Sequence, residues 1–597
     1  MISHSRGRWA PFWVSLMFAA VFILLRIVYR LVFGSFSWQA IGQAATLALP
    51  FAIVIIVCGF LSALIDVRKL LPSMSALRYG RSIGTALAIA LSSYPTLIHQ
   101  VKLLSTARTL RGIRSRSAFL VPLLEHTIER SVALAAAMDL KGFGAGKPAS
   151  RSEAAAIELK NFSLDYDGKQ VLRNITLSIP AGEITVLTGQ TGSGKTAVLE
   201  SIAGLSQHFH NGHVDGTLTV GNLDRTVTPP RMTAGLIGYV AQDVRMGFAT
   251  ATAREELEFG MRVSGHTRSE ASARAEELIA QFSLAGFADQ PIELLSAGEA
   301  TRVAIASALA LHPRILLLDE PLADLDSDAR SELVNFLSEL QARDKLTIVM
   351  AEHHTQELQS LAPRWLSVDS GELSEGLWNA GEVVLPPRSL PVVGTDEAFS
   401  VTDVSVAYGD RTLFSEVSLS LHVGEILAIT GPNGVGKSSL LNALTTSSDA
   451  RELLRLVPEN VSSLFVTETL EEELVKADLL SGHKNSGLTA MTFWSILATE
   501  ASIELLTVHP RDLSAGTQVA LAIALQLSWK PQVILVDEPT RGLDEVARTA
   551  MAEVLRCVSE TGTAVIFASH DHGFVTDLGC RVLSLRQGEL VPAEVGA

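Results

Sequence analysis

The hydrophobic pattern divides the chain into a front end of long uncharged runs and a remainder in which short apolar runs alternate with helical periodicity. Residues 9–25 carry no charge, and a second uncharged run covers 31–65. The stretch 41–65 alone would make about 37 Å of helix, enough to cross a bilayer. A first span is expected from Trp9 to Phe33, with Arg26 and Arg30 snorkelling or facing a partner. Ser82–Ile98 is a third apolar segment, diluted by Ser92, Ser93 and Pro95. From about residue 156 the pattern changes. Ile184-Thr185-Val186-Leu187, Ile315-Leu316-Leu317-Leu318 and Ile426-Leu427-Ala428-Ile429 read as strands buried on both faces, with helices between them, which is α/β patterning met twice.

Charge sharpens this division. Residues 1–150 hold 16 Lys and Arg against 4 Asp and Glu, while the whole chain has a net charge of −15. A basic, apolar front end joined to acidic domains reads as a membrane region with a cytoplasmic cationic face, and the bilayer-length uncharged runs disfavour nucleic acid as the partner. Arg6, Arg8, Arg68, Lys69, Arg78 and Arg81 fit two spans, whereas a third crossing would export Lys102, Arg108, Arg111, Arg114 and Arg116. Two spans and a helix at 82–104 that is embedded or packed on partners without crossing are therefore expected. Cys58, Cys557 and Cys580 have neither metal nor redox spacing. The 597 residues exceed a single core. The expected organisation is a helical membrane and coupling region at 1–148, an α/β domain at 156–377, a Pro-rich linker at 378–398 and a second α/β domain at 399–592.

Each α/β domain carries a glycine-rich phosphate loop between a buried strand and a helix. In the first, Gly189, Gly192 and Gly194 let backbone N–H groups wrap phosphates, Lys195 reaches the outer phosphates and Thr196 holds Mg²⁺. In the second, Gly431, Gly434, Gly436, Lys437 and Ser438 repeat the pattern. Downstream strands end in the carboxylate pairs Asp319-Glu320 and Asp537-Glu538, suited to Mg²⁺ and to polarising an attacking water.

Both domains resemble ATP-binding cassette (ABC) ATPases, and ATP and Mg²⁺ follow as the implied ligands. On that resemblance Tyr166 and Tyr408 stack on adenine, and Gln242 and Glu459 sense Mg²⁺ and water. Ser296 and Gly298, then Ser514 and Gly516, form signature loops facing the opposite cassette's γ-phosphate. Asp319 and Asp537 serve the metal. Glu320, Glu538, His353 and His570 carry the catalytic roles. Ala297 stands where the family usually has Gly, and Thr517 and Glu459 where it has Gln. The Lys-to-sensor spacing is 47 residues in the first cassette and 22 in the second, which predicts a trimmed β-rich insert. Glu459 is also a candidate partner for Arg111 or Lys141.

The segments Ala107-Arg108-Thr109-Leu110-Arg111-Gly112 and Ala137-Met138-Asp139-Leu140-Lys141-Gly142 repeat one helix-ending pattern, a cation near the C-terminus followed by a capping Gly. They resemble the coupling helices of the transmembrane subunit of energy-coupling factor importers. In that family such helices rest in grooves on the ATPase pair and transmit its motion, which assigns coupling roles to Arg111, Gly112, Lys141 and Gly142. Lys141 lacks the bidentate geometry of the usual Arg.

The resemblance implies an ATP-hydrolysing energising module for import of a vitamin, vitamin precursor or metal micronutrient. It would sit in the cell membrane as a multi-pass protein with cytoplasmic cassettes. Its implied partners are a small substrate-binding membrane subunit and a second coupling subunit. A soluble, ribosome-associated twin-cassette ATPase and an ABC exporter are the alternatives. The short Pro-rich linker disfavours the first and the short front end the second.

Overall fold

The computed structural model describes residues 10–33, 38–64, 98, 101–102, 104–113, 120–145, 156–323, 325, 327–353, 355–361, 363–378, 394–408, 411–432, 434–446, 453–483, 486–497, 502–586 and 588–593. The third apolar segment at 82–97, most of the linker and the Tyr408 side chain lie outside the described residues. The chain forms two compact units, 1–95 and 96–597.

The first unit contains helices α1 (Ala10–Phe33) and α2 (Trp38–Leu64). Small residues Ala19, Ala48 and Ala52 are buried. Phe22 and Phe51 meet with ring centroids 6.1 Å apart, and Arg26 Nη1 donates to the Leu47 carbonyl at 3.4 Å. The expectation of a membrane-spanning region is corrected here: among the described residues no helix is long and apolar enough to cross a membrane. The fold class therefore loses its membrane component, and the multi-pass placement in the cell membrane is withdrawn with it.

The second unit begins with a helical segment at 104–110 and α3 (Leu120–Leu140). Both end in the cap that the repeated pattern predicts. Gly112 N donates to Thr109 O and Ile113 N to Arg108 O, while Gly142 N donates to Asp139 O and Phe143 N to Met138 O. Gly112 and Gly142 take φ of 68° and 79°, the left-handed region that closes a helix without a Cβ penalty.

In the first cassette, β1 (Ile157–Tyr166), β2 (Lys169–Ile179), β4 (His213–Val220) and β5 (Leu223–Asp224) form an antiparallel sheet of order β2-β1-β4-β5. A second sheet contains β3 (Ile184–Thr188), β6 (Ile237–Val240), β7 (Ile315–Asp319), β8 (Thr347–Ala351), β9 (Arg364–Asp369) and β10 (Glu372–Glu375), in the order β10-β9-β3-β8-β7-β6. Every residue of β3, β7 and β8 is buried, as strands covered on both faces must be.

The second cassette repeats this plan. β11 (Glu397–Tyr408) pairs with β12 (Arg411–His422). Its second sheet runs β14-β15-β16-β13-β17-β18, built from β13 (Ile426–Thr430), β14 (Leu454–Val457), β15 (Val533–Asp537), β16 (Ala564–Ala568), β17 (Arg581–Arg586) and β18 (Glu589–Pro592). Among the described residues no counterpart of β4 and β5 lies between Lys437 and Glu459, which is the trimmed insert. In both cassettes the phosphate loop leaves the strand flanked by β8 and β9, or by β16 and β17. The loop and both carboxylates thus emerge at the same, C-terminal edge of a parallel sheet.

Candidate nucleotide sites and coupling grooves

The phosphate loops are backbone cradles. A Cβ on Gly189 (φ 155°) would lie 2.2 Å from the Val368 carbonyl oxygen, so only Gly fits there. Gly192, Gly194, Gly431, Gly434 and Gly436 also have positive φ. Lys195 Nζ donates to the Gly189 and Gln190 carbonyls at 2.9 and 3.0 Å. Its burial lowers its pKa against the opposing charges of Glu320, Asp544, Asp319 and Glu352. Lys437 Nζ repeats this contact with Gly431 O at 2.8 Å.

Thr196 Oγ1 donates to Asp319 Oδ1 at 3.2 Å, so the hydroxyl and carboxylate expected to share Mg²⁺ are adjacent. Burial, with Glu320 adding to it, pushes Asp319 up to about 7. Asp537 is also raised to about 7, chiefly by burial, and its Oδ1 is buried with no hydrogen-bond partner. An orphaned buried carboxylate oxygen beside Ser438 fits a hard cation. Among the described residues no group of three or more His, Cys, Asp or Glu could hold a metal alone. Mg²⁺ would therefore take phosphate oxygens together with Thr196 and Asp319, or Ser438 and Asp537. When bound, it would neutralise charge building on the transferred phosphoryl group.

Glu320 and Glu538 sit at φ 46° and 49°, a strained backbone for non-glycine residues. Their partners differ. Glu320 faces His353 Nε2 at 3.0 Å and accepts from Gln242 Nε2 at 2.9 Å. Glu538 faces His570 Nδ1 at 3.0 Å and Lys437 Nζ at 3.6 Å, and its hydrogen bond to His570 contributes to a lowered pKa despite burial. Glu459 pairs with Arg541 at 2.6 Å. The Glu459 pairing with Arg111 or Lys141 is thus corrected: the second sensor is held by its own cassette. Its charge still helps to raise Asp537.

Sequence reasoning missed Glu352. It is fully buried beside His353, and burial with the nearby Glu320 charge raises its pKa well above normal. The second cassette has Ser569 at the equivalent place, and comparison of the two halves at this position is the signal that would have exposed it. Tyr166 is half-buried, sits 3.1 Å from where a Cβ on Gly212 would stand and packs against the core cluster that contains Leu164 and Leu205. It is held by the cassette's own core.

Ser296 and Glu299 form a reciprocal capping box at the start of the helix Ala297–Ala308, with Glu299 Oε2 accepting from Ser296 N at 2.7 Å. Ser514 instead meets the Thr517 hydroxyl at 2.8 Å, so the second signature helix lacks a carboxylate in its first turn. Gly298 and Gly516 lie against Leu325 and Leu543 of their own cassettes. The cassettes touch where Asp544 Oδ2 accepts from Thr191 N, within the first phosphate loop, at 2.8 Å.

The coupling residues occupy equivalent grooves. Arg111, 1% exposed, meets Glu473 Oε1 at 2.6 Å and donates from Nη1 to Leu464 O at 3.1 Å. Lys141 pairs with Glu256 Oε1 and lies 5.6 Å from the Phe259 ring centroid. Both acceptors are held the same way: Glu473 Oε2 takes Val466 N, Thr467 N and Thr467 Oγ1, and Glu256 Oε2 takes Ala249 N, Thr250 N and Thr250 Oγ1. A Cβ on Gly112 would strike the Trp529 ring at 2.8 Å, and one on Gly142 would strike Ala234 Cβ at 2.7 Å.

Comparison with known proteins agrees with this geometry. Residues 172–323 and 414–541 match the ABC transporter family. A Streptomyces avermitilis protein named "Putative ABC transporter ATP-binding protein" is 30% identical, covering 73% of this chain and 93% of its own. The Bacillus subtilis "Putative HMP/thiamine import ATP-binding protein YkoD" is 26% identical over 72% of this chain and 90% of its own. A structure described as "Model of ribosome-bound archaeal Pelota and ABCE1" shares the fold, with a TM-score of 0.51 at 19% identity, covering 73% of this chain and 79% of that one. The chain belongs to the ABC transporter family and carries two of its ATP-hydrolysing cassettes.

Proposed function

We propose that this chain energises import of a vitamin, vitamin precursor or metal micronutrient, working with a separate membrane subunit that carries the solute. The observation that carries the reading is the matched pair of helix ends, Arg111-Gly112 on the second cassette and Lys141-Gly142 on the first, each paired with a buried glutamate whose second oxygen accepts two backbone N–H groups and a hydroxyl. Two helices anchored one per cassette move apart or together as the cassettes do, and that motion is available to a partner. The YkoD relative, named for HMP/thiamine import, supports the solute class.

In this reading Lys195 and Lys437 hold the outer phosphates. Glu320 and Glu538 take the proton of the attacking water, and His353 and His570 orient those carboxylates. Binding energy for ATP in the closed pair does the mechanical work, because only differential affinity for the closed state shifts the equilibrium.

The test is mass spectrometry of proteins and small ligands that co-purify from detergent-extracted native membranes. A small apolar membrane protein carrying a vitamin-like molecule is expected, with or without a second coupling subunit. Co-purified ribosomal proteins, with no membrane protein, would overturn the reading in favour of a translation ATPase.

A further inference from the structure

We propose that α3 is a strut across both cassettes, with Glu125 positioning the signature loop of the second cassette and Arg130 facing the matching turn of the first. Residues five apart on a helix point about 140° away from each other, so one helix can address two bodies. Glu125 Oε2 accepts from Arg511 Nη1 at 2.9 Å, with side chains 32% and 15% exposed. Arg511 lies in the turn Pro510–Asp512, immediately before the signature loop. Its carbonyl accepts from Gln518 Nε2, on the signature helix, at 2.8 Å. Gln518 Oε1 in turn accepts from Ser462 Oγ in the sensor region at 2.9 Å.

Counting back from the two signature serines, the residue equivalent to Arg511 is Glu293: the charge is reversed between cassettes. Glu293, with Asp243, favours the charged form of Arg130 against its burial. The C-terminal end of α3 is fixed to the first cassette by Lys141–Glu256 and by Asp139, which accepts from Arg231 N at 3.0 Å. Glu125 thus reaches to the second cassette from a helix seated on the first.

The consequence is confined to one ATP site. Gly516 packs on Leu543, and the next residue, Asp544, touches Thr191 of the first phosphate loop. The second signature loop therefore serves ATP held by Lys195, and Glu125 is a positioning residue for that site.

The experiment uses the full chain with 8-azido-ATP and orthovanadate, followed by cleavage at a protease site placed in the linker, so that trapped label is read on each cassette separately. E125Q is expected to lower vanadate-dependent label on the first cassette about fivefold and to leave the second unchanged, with the exchange pair E125R/R511E restoring it. An equal fall on both cassettes, no fall on the first, or failure of the exchange pair to restore labelling would each overturn the proposal. The readout is hydrolysis alone, so it stands or falls separately from the import reading.

Discussion

Replacing Arg111 with Met should free the first coupling helix from its groove. Arg111 is 1% exposed and Glu473 fully buried, and the guanidinium is the Glu473 Oε1 partner at 2.6 Å. Met fills much of the volume but leaves a buried carboxylate without its counter-charge, which costs about 3–5 kcal/mol. Lys141 is 17% exposed on its side chain, so water can partly replace it, and K141M should cost about 1–3 kcal/mol. Hydrogen exchange measures both openings locally. R111M should accelerate amide exchange over 104–113 at least about a hundredfold, and K141M should accelerate exchange over 134–143 about tenfold. E473Q keeps an acceptor for Val466 N, Thr467 N and Thr467 Oγ1 while removing the stranded charge, so R111M/E473Q should recover about half of the loss in free energy. Exchange no faster in R111M than in K141M, or no recovery in the double variant, would refute the reasoning.

Further outcomes follow from the sites. Because Gln242 holds Glu320 while Glu459 is held by Arg541, Q242A should reduce steady-state ATPase several-fold more than E459A; equal losses would contradict the asymmetry. E320Q and E538Q should each lower turnover at their own site roughly a hundredfold or more, read by single-turnover phosphate release. G142A forces a Cβ to within 2.7 Å of Ala234 Cβ at φ 79°, and should raise exchange at 134–143 without changing the midpoint for unfolding of the second cassette. Burial raises Glu200 to about 7 from 4.5, so the folded state binds its proton more tightly than the unfolded chain. That lowers stability as pH rises from 4.5 through 7, by at most about 3 kcal/mol. The stability gained by E200Q over the parent should widen across that window in denaturant titrations, and a pH-independent difference would exclude Glu200 as the cause.

Local sequence determined whatever depends on short spacing. Phosphate loops, carboxylate-ended strands and the two Gly-capped helix ends each need residues within a turn or a strand of one another, so their chemistry was legible in order along the chain. That the described residues between Lys437 and Glu459 hold no counterpart of β4 and β5 was visible beforehand as a shortened distance between those two positions. The two cassettes and their ATP chemistry follow from the same local patterns. Uncharged run length, in contrast, was a poor guide to a membrane region, since among the described residues no helix is long and apolar enough to cross a membrane.

Tertiary structure decided the pairings between residues far apart in sequence. Nothing local marks Glu473 as the partner of Arg111, Arg541 as the holder of Glu459, or Arg511 as the mate of Glu125. Each results from packing segments tens to hundreds of residues apart, and each acidic candidate on the surface was equally available beforehand. Glu352 shows the same limit: its neighbours are ordinary in sequence, and only complete burial beside Glu320 and His353 changes its chemistry. Strand and loop identity is set by periodicity and backbone sterics along the chain, whereas ion-pair choice is set by which charges lose water together when the sheets, signature helices and coupling helices close on one another.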